Sequence, residues 1–278
     1  MTRHRDFLVQ LENFRREAYL AAQYLYSEMA VQHAASKSER LLNRLNMTPT
    51  FWLSHGSACQ TAAYVCLGRV FDTKSRFNVD ELLNAFEANL HEFSREALAA
   101  RKRDGKPSDP DWLEEYLQRS HYPTSHDVAR LRAKVAEYRL VYDRAIKPAR
   151  HKYIAHREKE EHAEVQALFA GGKVKELWRL VTFLYSLNNA LWQQYHNGRR
   201  PVLRPQRYSV KSIYNAKLQS SAPHEHIVAD TKKLMEFIEH ATPNSSLNRT
   251  RHGGAPRPRS ASGDHAPRGR AAPPRRAG

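Results

Sequence analysis

Residues 146–157, Ile-Lys-Pro-Ala-Arg-His-Lys-Tyr-Ile-Ala-His-Arg, carry the side chains whose types and spacing best suit chemistry. Pro148 removes a backbone donor and crowds the preceding turn, so a helix arriving from upstream should stop or kink near Ile146. If a helix restarts, Pro148 sits in its first turn and the N–H groups near Ala149 and Arg150 face outward. A helix start of that kind favours a phosphate. Arg150 and His156 are six positions apart, which on a straight helix is about 240° of rotation and about 9 Å of rise. One copy does not naturally point both side chains at one atom. Either the backbone is distorted, or two copies meet across a two-fold axis and the same patch converges on one cleft. His156 shares a helix face with Lys152 and Tyr153, and Arg150 shares one with Arg157.

The elements that must position this segment read as helices nearly throughout. Phe7, Leu11, Phe14, Ala18, Ala22, Leu25 and Met29 recur at three- and four-residue steps and mark one face of a long first helix. Thr48-Pro49 reads as an N-cap followed by a proline in the first turn, opening a helix that runs to Val70-Phe71. Its small apolar centre, with Ala58, Ala62 and Ala63, lets neighbours approach closely. Cys59 and Cys66, seven apart on one face, are expected to be core thiols. Asn78 with Glu81 resembles a capping box. A short helix is expected from Trp112 to Leu117, a long one from Thr124 or Ser125 with Val128, Leu131, Val135, Tyr138, Tyr142 and Ile146 facing inward, and a core helix after Gly171-Gly172. Asn188-Asn189 reads as an inter-helix hydrogen-bonding pair, and Asp72 as an ion-pair or capping residue. A last helix is expected around Val228 to Ile238, with one weak strand candidate at Tyr208 to Tyr214. The fold expected is an all-α antiparallel helical bundle.

Charge divides the chain. Its 278 residues carry a net charge of +16. From Pro243 to Gly278 there are eight Arg against one Asp, with six Pro and five Gly. That composition buries too little apolar surface to offset the entropy of ordering, so a disordered tail is expected. It either contacts RNA phosphates without specificity or is a weakly constrained extension, and the second reading is preferred. Residues 1–242 keep +9, and the segment from Asp127 to Glu158 supplies +5 of it. That concentration points to a cleft for a polyanion on the element bearing Arg150 and His156. Two further basic runs stand out: Arg95 to Lys106, and Arg199 to Lys217 in a stretch with no acidic residue between Glu176 and Glu225. Two cysteines exclude a disulfide-built scaffold, and the N-terminus lacks the apolar stretch of a secretory signal. No run approaches about 18 apolar residues, so no membrane span and a cytoplasmic location are expected.

Arg, a polar residue, then His a few positions on resembles the signature of HEPN domains, in which Arg and His bracket four to six residues. Here Arg150 and His156 bracket five, and His151 fills the polar position. The flanking IKPARHKYIAHRE resembles the AbiU-type branch of that family, as does FWLSHGSACQTAAYVCLGRVFD on the helix opened by Pro49. The resemblance covers roughly residues 5–200. It divides the chain into a HEPN-like bundle (1–200), a basic linker with a terminal helix packing on the bundle (201–242) and the tail (243–278).

The resemblance implies a homodimeric, metal-independent endoribonuclease of the toxin or phage-defence kind. No cofactor is expected, RNA is the substrate and an antitoxin protein is a candidate partner. His156 would deprotonate the RNA 2′-hydroxyl or protonate the leaving 5′-oxygen, roles that suit an imidazole titrating near about 6.5. Arg150 would hold the scissile phosphate and stabilise developing charge. His151, Lys152, Tyr153 and Arg157 are the accompanying substrate-binding candidates. Three other readings stand beside this one. Arg150 and His156 also read as the end of a solvated basic helix; the same fold would serve a non-catalytic RNA- or protein-binding module; and His224-x-His226 is a close His pair. That pair falls in an expected loop with Glu225 as its only neighbouring carboxylate, so no metal site is expected.

Overall fold

A carboxylate starts the first helix: Asp6 accepts hydrogen bonds from the backbone N–H groups of Leu8 at 2.8 Å and Val9 at 3.4 Å. The helix it opens, α1 (Phe7–Ala35), buries Phe7, Leu11, Phe14, Ala18, Ala22 and Leu25 along one side, as the periodicity predicts. The computed structural model describes residues 6–105, 108–151, 174–203, 209–216 and 222–241. The following elements are α2 (Glu39–Leu45), α3 (Pro49–Phe71), α4 (Val79–Ala88), a 3₁₀ turn at Leu90–Phe93, α5 (Arg95–Arg103) and α6 (Leu113–Arg119). After them come α7 (Ser125–Ala145), the single turn α8 (Lys147–Ala149), α9 (Val174–Asn197), α10 (Val210–Asn215) and α11 (Pro223–His240). The architecture is an all-α bundle, with no strand among the described residues. The tail from Pro243 lies outside them.

α1 is the central element, packing against α3, α4, α9 and α11. Close approach to α3 is allowed by small side chains on both helices: Ala18, Ala21 and Ala22 are fully buried on one, and Ala63 and Cys66 are buried on the other. Both cysteines are buried free thiols, and burial together with Glu17 pushes the Cys66 thiol up to about 12, which keeps it from acting as a nucleophile. Aromatic rings close one end of the bundle. Phe7 meets Phe86 and Phe93 at centroid separations of 5.7 and 5.1 Å, and Tyr195 completes the cluster 5.7 Å from Phe7. Asn78 caps α4 by accepting from Asp80 and Glu81 N–H groups at 2.9 and 3.0 Å.

α7 and α9 run antiparallel. Arg130, near the start of α7, donates to the carbonyl of Pro201, just beyond the end of α9, while Arg144 near the end of α7 approaches Glu176 in the first turn of α9. Asp127 anchors the first of these ends. Its buried carboxylate caps α7 by accepting from Thr124 N–H at 3.1 Å, and it meets His121 Nε2 and Arg130 Nη2, each at 2.9 Å.

Three sequence expectations change here. The strand candidate Tyr208 to Tyr214 is instead helix α10 from Val210, because Ser209 caps it and Val210 is buried; Tyr208 itself lies outside the described residues. His224-x-His226 is not in a loop but in the first turn of α11, opened by Pro223. Residues two apart on a helix do not share a face. His224 is therefore buried between the rings of Tyr26 and Tyr185, at 5.4 and 5.0 Å, and His226 is exposed. Asn188 is buried as an inter-helix residue would be, but Asn189 is exposed, and Asn188 Oδ1 has no hydrogen-bond partner among the described residues.

Burial pushes the Asp127 carboxyl up, but the hydrogen bonds from His121 and Thr124 and the charge of Arg130 outweigh it and hold it below the ordinary carboxylate value. Its contribution to stability is therefore full above about pH 4 and disappears as pH falls through the lowered native value. Asp127→Asn should cost about 2 kcal/mol at neutral pH. Urea unfolding of both chains at several pH values should show that gap closing only in strong acid.

Candidate functional site

The chain breaks where Pro148 requires it. α7 ends at Ala145, Ile146 is buried, and the single turn Lys147–Ala149 leads into a widened π-type turn at Arg150 and His151. One expectation fails at this point. The Arg150 N–H is not turned outward for a phosphate but donates to the Ile146 carbonyl at 3.0 Å, so the backbone continues across the break and satisfies its own donor.

The side chain of Arg150 is directed instead at α3. Nη1 donates to Asp72 Oδ2 at 3.1 Å and to the Tyr142 hydroxyl at 3.2 Å. Asp72 follows the last residue of α3 and also accepts from Lys74 N–H at 3.1 Å, so it is both a turn-forming and an ion-pairing residue, as its sequence position suggests. The Lys74 N–H and the Arg150 guanidinium hold Asp72 below the ordinary carboxylate value against the opposing effect of burial. Burial alone would depress Arg150, yet the Asp72 carboxylate and Tyr142 hydroxyl keep it above its usual value. Tyr142 is fully buried, with its ring stacked on Phe71 at 5.3 Å.

Gly68 makes this arrangement possible. A Cβ at that position would lie 2.3 Å from Arg150 Nε and 2.6 Å from its Cδ and Cζ, so the guanidinium crosses α3 in the space of a missing side chain. Sequence reasoning passed over Gly68 and placed Tyr142 only as a core residue. The signal was a glycine inside a helical run, four positions before Asp72. His151 is exposed beside this group, and its charge when protonated also lowers Asp72. His156, Lys152, Tyr153 and Arg157 lie outside the described residues.

The expected polyanion cleft along α7 does not follow from its charge. Arg130 pairs with Asp127, Arg132 with Glu87, Lys134 with Glu137, Arg139 with Asp80, Arg144 with Glu176 and Lys147 with Asp143. Three of these acids, Glu87, Asp80 and Glu176, come from other helices, which neutralise an excess that the segment shows when read by itself.

A family model described as AbiU2, within the HEPN group, matches residues 5–212. The chain belongs to this family. The AbiU2 match holds the whole arrangement of Gly68, Asp72, Tyr142 and Arg150, and it runs past residue 200 into the basic stretch, to Ser212. No curated protein and no solved structure matches the chain. Among the described residues no three His, Cys, Asp or Glu side chains gather as a metal site, and no helix is long and apolar enough to cross a membrane.

If the glycine space is what seats the guanidinium, Gly68→Ala and Arg150→Ala should not act independently. Alanine gains about 1 kcal/mol of helix propensity at position 68 while displacing Arg150, so the single variant should change stability little. A double-mutant cycle read by urea unfolding should show coupling of about 1 kcal/mol or more.

Proposed function

We propose that this AbiU2-family chain is a metal-independent endoribonuclease of the HEPN toxin or phage-defence type, which cleaves RNA through its 2′-hydroxyl. The observation that carries this reading is the guanidinium of Arg150, seated at a helix break within the family match. Both of its hydrogen bonds use Nη1, so the rest of its five-donor fork has no partner among the described residues and is available to a phosphate. Asp72 and Tyr142 fix its direction before substrate arrives, which reduces the reorganisation needed as charge develops. His156 supplies the acid–base function, and His151, Lys152, Tyr153 and Arg157 contact substrate. Two copies related by a two-fold axis bring paired Arg150 and His156 to one cleft in a cytoplasmic homodimer, and an antitoxin protein is a candidate partner.

One observation favours a second reading. The Asp72 carboxylate already meets Arg150, an arrangement that would also serve a HEPN-like module that binds RNA or a protein without cutting.

Incubation with total RNA in EDTA separates the two. The enzyme reading expects cleavage that survives EDTA and falls by at least about 10²-fold in both Arg150→Ala and His156→Ala, with folding retained by circular dichroism. RNA bound but left intact by the wild type selects the binding module. A monomer at micromolar protein concentration excludes the composite site.

A further inference from the structure

Two basic runs that are separate in the sequence meet in the fold. A cavity of about 1090 Å³ opens between α6 and the C-terminal end of α9, with Lys102 from α5 on one side and Arg199 and Arg200 on the other. Unlike the cations of α7, these are not balanced by acids. Glu115 is the one carboxylate of the lining and is already held by Arg119. Lys102 Nζ donates to the side-chain carbonyl of Asn197 at 2.8 Å and lies 5.1 Å from the Tyr116 ring centroid. Arg199 and Arg200 are exposed and have no ion-pair partner among the described residues.

The second feature of the cavity is aromatic. Trp112 lines it with half of its surface exposed, its ring set edge-on to Tyr116 at 5.7 Å. An exposed indole in the same cavity as two exposed guanidinium groups offers a flat apolar platform within a phosphate-attracting lining. Concave walls focus the positive potential of such groups. Phosphate affinity with a stacking platform is the chemistry of a nucleotide rather than of an acidic peptide, which supplies no ring, and an open cavity suits a strand that continues beyond it.

We propose that this cavity binds single-stranded nucleic acid, with Arg199 and Arg200 on its phosphates and a base stacked on Trp112. The site is distinct from the helix break at Arg150. The cavity meets the start of α7 at His121 and reaches no further along the neighbouring helix α9 than Ser186, whereas Arg150 follows the end of α7. Cleavage is not needed for binding here.

The test uses the full chain and a fluorescein-labelled oligodeoxynucleotide of about twelve residues, which no 2′-hydroxyl mechanism can cut. Anisotropy titrations between about 50 and 200 mM salt should show Arg199→Ala/Arg200→Ala binding at least about tenfold more weakly, with a salt dependence shallower by about one power. Trp112→Leu, which keeps an apolar side chain without the ring, should weaken binding about fivefold or more with the salt dependence unchanged. All these positions are exposed, so thermal unfolding should match the wild type. Binding within about twofold of wild type in both variants overturns the proposal and assigns any affinity to other basic segments. Equal displacement by polyglutamate of matched charge overturns its nucleotide character, and AMP binding as tightly as the strand overturns the strand. Arg199, Arg200 and Trp112 take no part in the proposed cleavage chemistry and the probe strand cannot be cut, so failure here leaves the reading of Arg150 and His156 standing.

Discussion

Arg150 crosses α3 over Gly68, where the missing side chain leaves room, and its charge is met there by Asp72 and the hydroxyl of Tyr142. Pro148 breaks the chain after α7, and that contact fixes the turn that follows. A proline can stop a helix, but it cannot say where the chain goes next. The guanidinium ties the turn that follows to the C-terminal end of α3, and Tyr142 passes the constraint to the core through its stack on Phe71. A charge so placed is partly desolvated and already paired, and so differs from a flexible arginine on a solvated helix end. The same bond that orients Arg150 also offsets part of its charge, and the balance between these effects governs how strongly a phosphate can compete for it.

The distribution of ion pairs changes what the basic character of the chain means. Read along the sequence, the segment from Asp127 to Glu158 carries +5 of the +9 of residues 1–242. In the fold, helices α4 and α9 set carboxylates against it, and α7 supplies others from its own next turn. Individually such exposed pairs stabilise by little. Their larger effect is to remove a surface potential. Among the described residues Arg199 and Arg200, beyond α9, have no such pair, and Glu115, the one carboxylate lining the cavity they share, is itself paired. Charge that looked like a property of one helix is therefore expressed elsewhere.

Membership of the AbiU2 family and the helix-break geometry bear on the same segment from different directions. The family match carries Arg150 and His156 together, whereas the geometry explains why Gly68, Asp72 and Tyr142 accompany Arg150. Gly68 leaves the guanidinium room, and Asp72 and Tyr142 accept its hydrogen bonds.

The all-α class, the faces of α1 and α7, the cap at Asn78, the start of α7 at Thr124 or Ser125 and the stop at Pro148 were legible in the sequence, because each depends on residues within a few positions of one another. Where local signals misled, a distant partner had overruled them: Val210 is buried by the bundle rather than by a strand neighbour, and His224 turns inward between rings on two other helices. Asp72 could be read as an ion-pair residue, but its partner lies 78 positions away and could not be named. The space above Gly68, the neutralisation of α7 and the meeting of Lys102 with Arg199 and Arg200 are likewise invisible to a linear reading. Sequence periodicity determines which side of a helix is buried; only packing decides which side chains and charges that burial brings within reach of one another.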